Sequence, residues 1–346
     1  MSAKVFTTTI PTFSRVVLLH ACGDSPIIEI VERLTPKPKP GQILVQMAAA
    51  PINPSDLLFL QGLYGLNKTL PIVPGLEGSG LVVAAGKGFL SKRLLGHRVA
   101  CSGLGNGDGT WGEYVVLDAD SCIPVSIDVS DEQAASMFVN PWTAIALTEI
   151  ARKGRHKAIV LTAGVSQLAR MMLRLCKPQG IPILHIVRNS TQVKLLESLG
   201  AKEIINSSEP YFWRQLAIDC DRLKATIAFD AVAGNMTGIL AQAMPPSSRV
   251  VVYGSLASQF CQVKVNNLLF EKTTIEGFWL NHWLSKKNLL QQLFLGKRTQ
   301  RLLSSTVKTE VRERLPLEKI DQALKLSATN ATGGKVLLIP GVNRSW

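Results

Sequence analysis

Two short stretches near the middle of the chain carry residue types suited to an anionic cofactor. The turn TAGVSQLAR, residues 162 to 170, joins an apolar run to an amphipathic segment. Dinucleotide sites place a glycine-rich turn at such a junction, because missing side chains let backbone N–H groups approach a pyrophosphate at a helix N-terminus. Here only Gly164 is glycine, and Ser166 and Ala169 stand where further glycines would be expected. Both are small, and a serine hydroxyl can donate to a phosphate oxygen. The second stretch, HIVRNS, closes the next apolar run with Arg188. An acid there would bond the ribose of NAD, whereas a guanidinium suits an adenosine 2′-phosphate, which points to NADPH. The competing reading is a solvent-facing arginine at a strand end.

The elements that must position these residues follow a clear order. AIVLT, SQLARMMLRLC, IPILHIV, TQVKLLESLG and KEIIN alternate strand and helix, and TIAFDAV, RVVVYGS and TIEGFWL continue the strands. Apolar strands separated by amphipathic helices predict a doubly wound parallel sheet. Ahead of them, the first ~135 residues hold short β-branched runs among glycines and prolines: RVVLLH, QILVQMAA, GSGLVVAA, HRVACSG and GEYVVLD. That spacing predicts a compact β-rich domain. DEQAASMFVNPWTAIALTEIARKG, from Asp131, reads as one helix with acids at its start. The helical LEKIDQALKLSATN and the strand GKVLLIP are expected to return to the first domain. The predicted division is 1–136, 137–283 and 284–346.

Composition bounds the rest. At 346 residues the chain exceeds what one core usually supports. No apolar run approaches the roughly 20 residues of a membrane span, so a soluble protein without a membrane partner is expected. The opening MSAKVFTTTIPTFSR lacks the features of a secretory signal and leaves a short transit peptide open. A cytoplasmic location is expected, with the mitochondrial matrix as the alternative. Cysteines 22, 101, 122, 176, 220 and 261 show no paired spacing, which argues against a disulfide framework or a CxxC zinc knuckle. The net charge of +13 favours anionic partners. Eight basic and two acidic residues lie between Lys286 and Arg314, either a solvated basic face or one that docks an anion.

The stretches AAPINPSDLLFLQGLYG, GTWGEYVV, VNPWTA, VVYGSLASQ and IEGFWLNHW give the chain its resemblance. It is similar to the zinc-free branch of the medium-chain dehydrogenase/reductases, and most of all to the mitochondrial-type trans-2-enoyl thioester reductases. The resemblance implies a discontinuous GroES-like substrate domain with an inserted Rossmann domain, NADPH as cofactor, and a homodimer. In zinc relatives a Cys and a His hold the catalytic metal; the similar positions here are Asn53 and Leu76, and a leucine offers no lone pair. Cys101 has no CxxC neighbours, so a structural zinc is not expected either. The resemblance places a proton-donating phenol on Tyr64, a nicotinamide-side amide on Asn140, and an acyl-pocket wall on Trp279. For the cofactor it implies Val165, Ser166, Gln167 and Leu168, then Arg188, Asn189 and Ser190. It adds Tyr253, Gly254, Ser255 and Leu256, the stretch Phe278, Trp279, Leu280 and Asn281, and Lys335. The chain departs from the pattern twice, since Ser190 replaces a second arginine and the turn lacks two glycines.

Three functions follow as expectations. The first is NADPH-dependent reduction of the C2=C3 bond of an enoyl thioester on CoA or acyl carrier protein, with no nucleic-acid partner. The second is a quinone or alkenal reductase of the same superfamily. The third is a non-catalytic protein whose altered turn no longer binds cofactor and whose basic face contacts nucleic acid or a partner.

Overall fold

The computed structural model describes residues 9–105, 107–329 and 333–341. Residues 1–8, where the leader reading begins, and Asn330, which ends the predicted last helix, lie outside these. The chain divides into two compact units, Met1–Pro141 with Asn288–Trp346, and Trp142–Lys287. No helix among the described residues is long and apolar enough to cross a membrane.

The first unit is built on strands β1 (Phe13–Ala21), β2 (Ile27–Leu34), β3 (Gln42–Ile52), β4 (Glu77–Ala85), β5 (Arg98–Ser102), β6 (Tyr114–Asp118) and β7 (Cys122–Pro124). The second supplies β8 (Ile159–Leu161), β9 (Ile183–Val187), β10 (Glu203–Asn206), β11 (Ile227–Asp230), β12 (Arg249–Val252) and β13 (Thr274–Gly277). The chain then adds β14 (Val311–Leu315) and β15 (Lys335–Leu338) to the first unit, where β15 pairs antiparallel with β3.

The sheet of the second unit runs β10-β9-β8-β11-β12-β13, all parallel. This is the doubly wound order expected from the alternation of apolar strands and helices. The order reverses between β8 and β11, so ligand-binding loops belong at the carboxyl ends of these strands. Its core is the apolar set Val160, Leu184, Ile186, Ala228 and Val250, which continuous strand burial on both faces requires. The first unit combines a seven-stranded sheet with the β1–β2 hairpin, around a core that includes Val17, Phe59, Trp111, Leu317 and Val336.

Two sequence expectations need correction. The helix predicted from Asp131 is two helices, Asp131–Ala135 and Val139–Lys153. The apolar spacing runs through the break, but the Glu77 carboxylate accepts the N–H groups of Phe138 at 3.0 Å and Val139 at 2.9 Å. A side chain thus takes donors that a continuous helix would have satisfied internally. The reading also passed over β2 and β14, whose apolar residues are interrupted by charge.

Candidate cofactor-binding and catalytic residues

In the second unit the sequence-predicted cofactor residues gather at the carboxyl ends of β8, β9, β12 and β13. After β8, the Thr162 hydroxyl donates to Asp230 at 2.9 Å and accepts the Ala231 N–H at 2.8 Å, tying this turn to β11. Ala163 takes a left-handed φ of 50°. Gly164 then passes so close to β9 that a Cβ would meet His185 Cβ at 2.9 Å and the Ile186 carbonyl at 3.0 Å. This one glycine is required by packing.

Ser166 caps the helix Gln167–Cys176, its Oγ accepting from the Ala169 N–H at 3.2 Å. The side chains of Val165, Gln167, Leu168 and Ala169 are buried. What this turn can offer a phosphate is therefore backbone N–H groups, the Ser166 hydroxyl and the positive end of the helix dipole. Arg170, which sequence reasoning missed, is 5% exposed, and its Nε donates to the Val165 carbonyl at 3.0 Å. It sets a fixed positive charge behind the turn. A cation near a helix N-terminus opposes the dipole, and that oddity was the available signal.

Arg188 is exposed just past β9, and its backbone N–H donates to Gln192 Oε1 at 2.9 Å. Asn189 caps the helix Ser190–Ser198, accepting from the Gln192 N–H at 3.0 Å, so its side chain is occupied by local structure. Ser190 is exposed at the first helical position. Beyond β12, the Tyr253 N–H donates to the Asp230 carbonyl at 2.8 Å, while its hydroxyl is buried with no partner. Burial raises this phenol's pKa, and the charge of Asp230 adds to the shift. Gly254 faces Ala231, and Ser255 and Leu256 continue the loop toward solvent. After β13 the Phe278 N–H bonds the Val252 carbonyl at 2.8 Å, Trp279 stands exposed at the start of the helix Leu280–Ser285, Leu280 turns inward, and Asn281 is half-buried.

The first unit holds a different construction. Asn53 and Asp56 cap the helix Pro54–Leu60, with Asp56 Oδ2 accepting the Asn53 N–H at 2.7 Å. The other Asp56 oxygen accepts the Leu76 N–H at 2.9 Å. Asn53 Nδ2 donates to Glu77 Oε1 at 3.1 Å, and the Lys335 ammonium bonds both Asn53 Oδ1 and, at 3.5 Å, Glu77. Asn53, Asp56 and Glu77 are fully buried and Lys335 is 5% exposed. Burial raises Asp56 to about 6, against the pull of the Asn53 and Leu76 N–H groups, and burial lowers the pKa of Lys335 against the charges of Glu77 and Asp56. The resemblance assigned Lys335 to the cofactor; its ammonium is bonded within this buried cluster.

The positions compared with metal ligands, Asn53 and Leu76, thus belong to a network closed by an internal cation. No group of three or more metal-binding side chains occurs among the described residues. Through its bonds to Phe138 and Val139, Glu77 also fixes the start of the helix on which half-buried Asn140 is the second residue.

Tyr64 lies four residues beyond the helix Pro54–Leu60, half-buried against the core around Phe59. Its segment is pinned by Lys68, whose Nζ donates to the carbonyls of Gly103 at 2.8 Å and Gly107 at 2.9 Å. Burial lowers Lys68 to about 8, opposed by the charges of Asp108 and Asp56. Sequence reading gave Lys68 no role.

A doubly wound Rossmann unit in one chain with a β-rich GroES-like unit marks an oxidoreductase. Residues 39–127 match the alcohol dehydrogenase GroES-like domain, and residues 165–294 match the zinc-binding dehydrogenase family. The mitochondrial enoyl-[acyl-carrier-protein] reductase of Dictyostelium discoideum is 27% identical over 324 residues, 89% of each chain. That of Caenorhabditis elegans is 30% identical over 253 residues, 71% of each chain. Among solved structures, an NADPH:quinone reductase assignment from Mesorhizobium loti superposes with a TM-score of 0.88 at 33% identity, covering 96% of this chain and 100% of that one. The chain belongs to the medium-chain dehydrogenase/reductase family and stands close to its enoyl reductases.

Proposed function

We propose that the chain is an NADPH-dependent reductase of 2-enoyl thioesters carried on CoA or acyl carrier protein. The observation that carries this reading is the closed Asn53–Asp56–Glu77–Lys335 cluster beside Leu76. With those side chains engaged with one another, a protic group must serve the developing enolate, and Tyr64 is the phenol on the adjoining segment. The similarity to enoyl reductases over 89% of the chain supports the same assignment.

The second unit fits the cofactor on three counts: a turn where Gly164 admits no side chain, a buried Tyr253 hydroxyl without a partner, and the exposed Arg188. In this reading Ser166 and the first-turn N–H groups hold the pyrophosphate, and Arg188 selects the 2′-phosphate. NADPH, when bound, supplies a hydride to the β carbon. Tyr64 gives a proton to the α carbon, Asn140 orients the reacting groups, and Trp279 walls the acyl chain. With Asn53 and Leu76 at the positions compared with metal ligands, this scheme assigns zinc no part. A homodimer belongs to the same proposal: β13 is an edge strand, and Val265, Leu269 and Phe270 nearby are exposed.

The test is NADPH oxidation with 2-enoyl-CoA substrates of several lengths, run beside NADH and a simple quinone. Thioester-dependent oxidation that prefers NADPH is expected. Faster oxidation with quinones or free enones than with thioesters would favour the second reading, a quinone reductase, which the Mesorhizobium loti structure supports.

A further inference from the structure

The helix Leu289–Leu302, LLQQLFLGKRTQRL, contains no acidic residue and has two sharply different faces. One face is fixed to the sheet. Leu295, Gly296 and Thr299 are buried, and Gly296 sits so close to β7 that a Cβ would meet Ile123 Cδ1 at 2.7 Å. Gln300 reinforces the seat, its Nε2 donating to the Pro124 carbonyl and its Oε1 accepting the Ser126 N–H, both at 2.9 Å.

The opposite face carries Leu290, Phe294, Lys297 and Arg301 at i, i+4, i+7 and i+11, one stripe of an α-helix. Leu290 is 66% exposed and Phe294 71%, and the two cations are exposed as well. The stripe therefore runs from an apolar end to a cationic end over roughly 16 Å, about three helical turns. A rigid backing with an exposed aromatic, an aliphatic and two cations in line is the composition of a docking surface.

We propose that this stripe docks the acidic helical surface of an acyl carrier protein, so that the thioester is delivered by its carrier as well as recognised by its acyl chain. The inference rests on the enoyl thioester reading above. Charge selects the partner: Lys297 and Arg301 meet carboxylates of the carrier, while Leu290 and Phe294 pack against its apolar residues. A second copy of this chain fits the stripe poorly, because the same helix on the partner offers cations and no acid. A lipid surface also fits poorly, since an interfacial helix buries a broad apolar face with cations at its margins, and here the cations share the face with only two apolar side chains.

Binding and turnover separate this inference from the reading beneath it. Fluorescence polarisation of labelled holo-acyl carrier protein with the full chain measures docking, and reduction of the same 2-enoyl group on CoA measures the reaction. Lys297→Glu with Arg301→Glu, and separately Leu290→Ser with Phe294→Ser, are expected to weaken carrier binding at least about tenfold while turnover of the CoA thioester stays unchanged. Added salt should weaken wild-type binding and leave CoA turnover nearly level. Carrier binding that ignores both double variants, or no carrier binding by the wild type, would overturn the docking surface. So would binding to phosphatidylserine vesicles that the variants abolish while the carrier fails to bind. Equal loss of CoA turnover in folded variants would also overturn it, by assigning the stripe to the reacting centre. Carrier binding without any enoyl-CoA reduction would keep the surface and sink the reductase reading.

Discussion

The cluster around Lys335 and the loops at the strand ends of the second unit both gather charge and hydrogen-bonding groups, yet they are built in opposite ways. Asn53, Asp56, Glu77 and Lys335 satisfy one another in a space from which water is excluded. Around Ser166, Arg188 and Tyr253 the groups are left open: first-turn N–H donors, an exposed guanidinium and a buried hydroxyl without a partner. A buried charge must find its counter-charge inside the fold, whereas a binding loop keeps its donors for a ligand. In the proposed function the first region therefore serves stability and geometry, and the second serves to select the anion.

The sharpest way to break this division is to alter the one proposed reacting group that belongs to neither region. Tyr64→Phe removes the phenolic proton and retains the ring that packs near Phe59. A positioned general acid contributes about 10²- to 10⁴-fold. Turnover of an enoyl thioester should fall within that range while NADPH affinity, read by fluorescence titration, stays level. Unchanged turnover would remove Tyr64 from the chemistry.

Lys335→Met tests whether the closed cluster is structural. It leaves Glu77 and Asp56 buried without their cation, and breaking such a pair costs about 3–5 kcal/mol. A urea melt should show that loss, and adding Glu77→Gln should recover part of it. NADPH affinity lost without any loss of stability would instead move Lys335 to the cofactor, where the resemblance had put it.

The same cluster has a pH signature. Asp56 is raised by burial to about 6 from the ordinary carboxylate value of 3.8, so the folded state holds this proton more tightly than the unfolded chain does. Its contribution to stability is fully present below about pH 3.8 and is lost as pH rises through about 6. The melting midpoint of the wild type, taken relative to Asp56→Asn, should decline across that window and level off above it. Parallel profiles would mean that Asp56 does not carry the shift.

Parts of this arrangement were legible in the sequence because they are local. The alternation of strand and helix from residue 158 to 206 predicted the parallel sheet. The cluster was not legible, because its members come from positions 53, 56, 77 and 335 and each looks ordinary in its own neighbourhood. The break between Ala135 and Val139 was hidden for the same reason: its cause, Glu77, lies 61 residues before the Phe138 N–H that it accepts. Apolar periodicity reports which face is buried and says nothing about a distant carboxylate that competes for the backbone.

The smallest expected effect falls on the open region. Arg188→Gln removes the guanidinium and keeps the backbone N–H that Gln192 accepts at 2.9 Å, so the turn itself should survive. A charge-assisted bond from an exposed arginine to a phosphate is worth about 1.5 kcal/mol, which corresponds to about a tenfold rise in the KM for NADPH. NADH lacks the 2′-phosphate, and its KM should move little. Because Ser190 stands where the resemblance implied a second arginine, the proposed preference rests on Arg188 alone at these two positions. A variant that loses affinity for both cofactors equally would show that Arg188 supports the loop, and selectivity would then have to come from elsewhere.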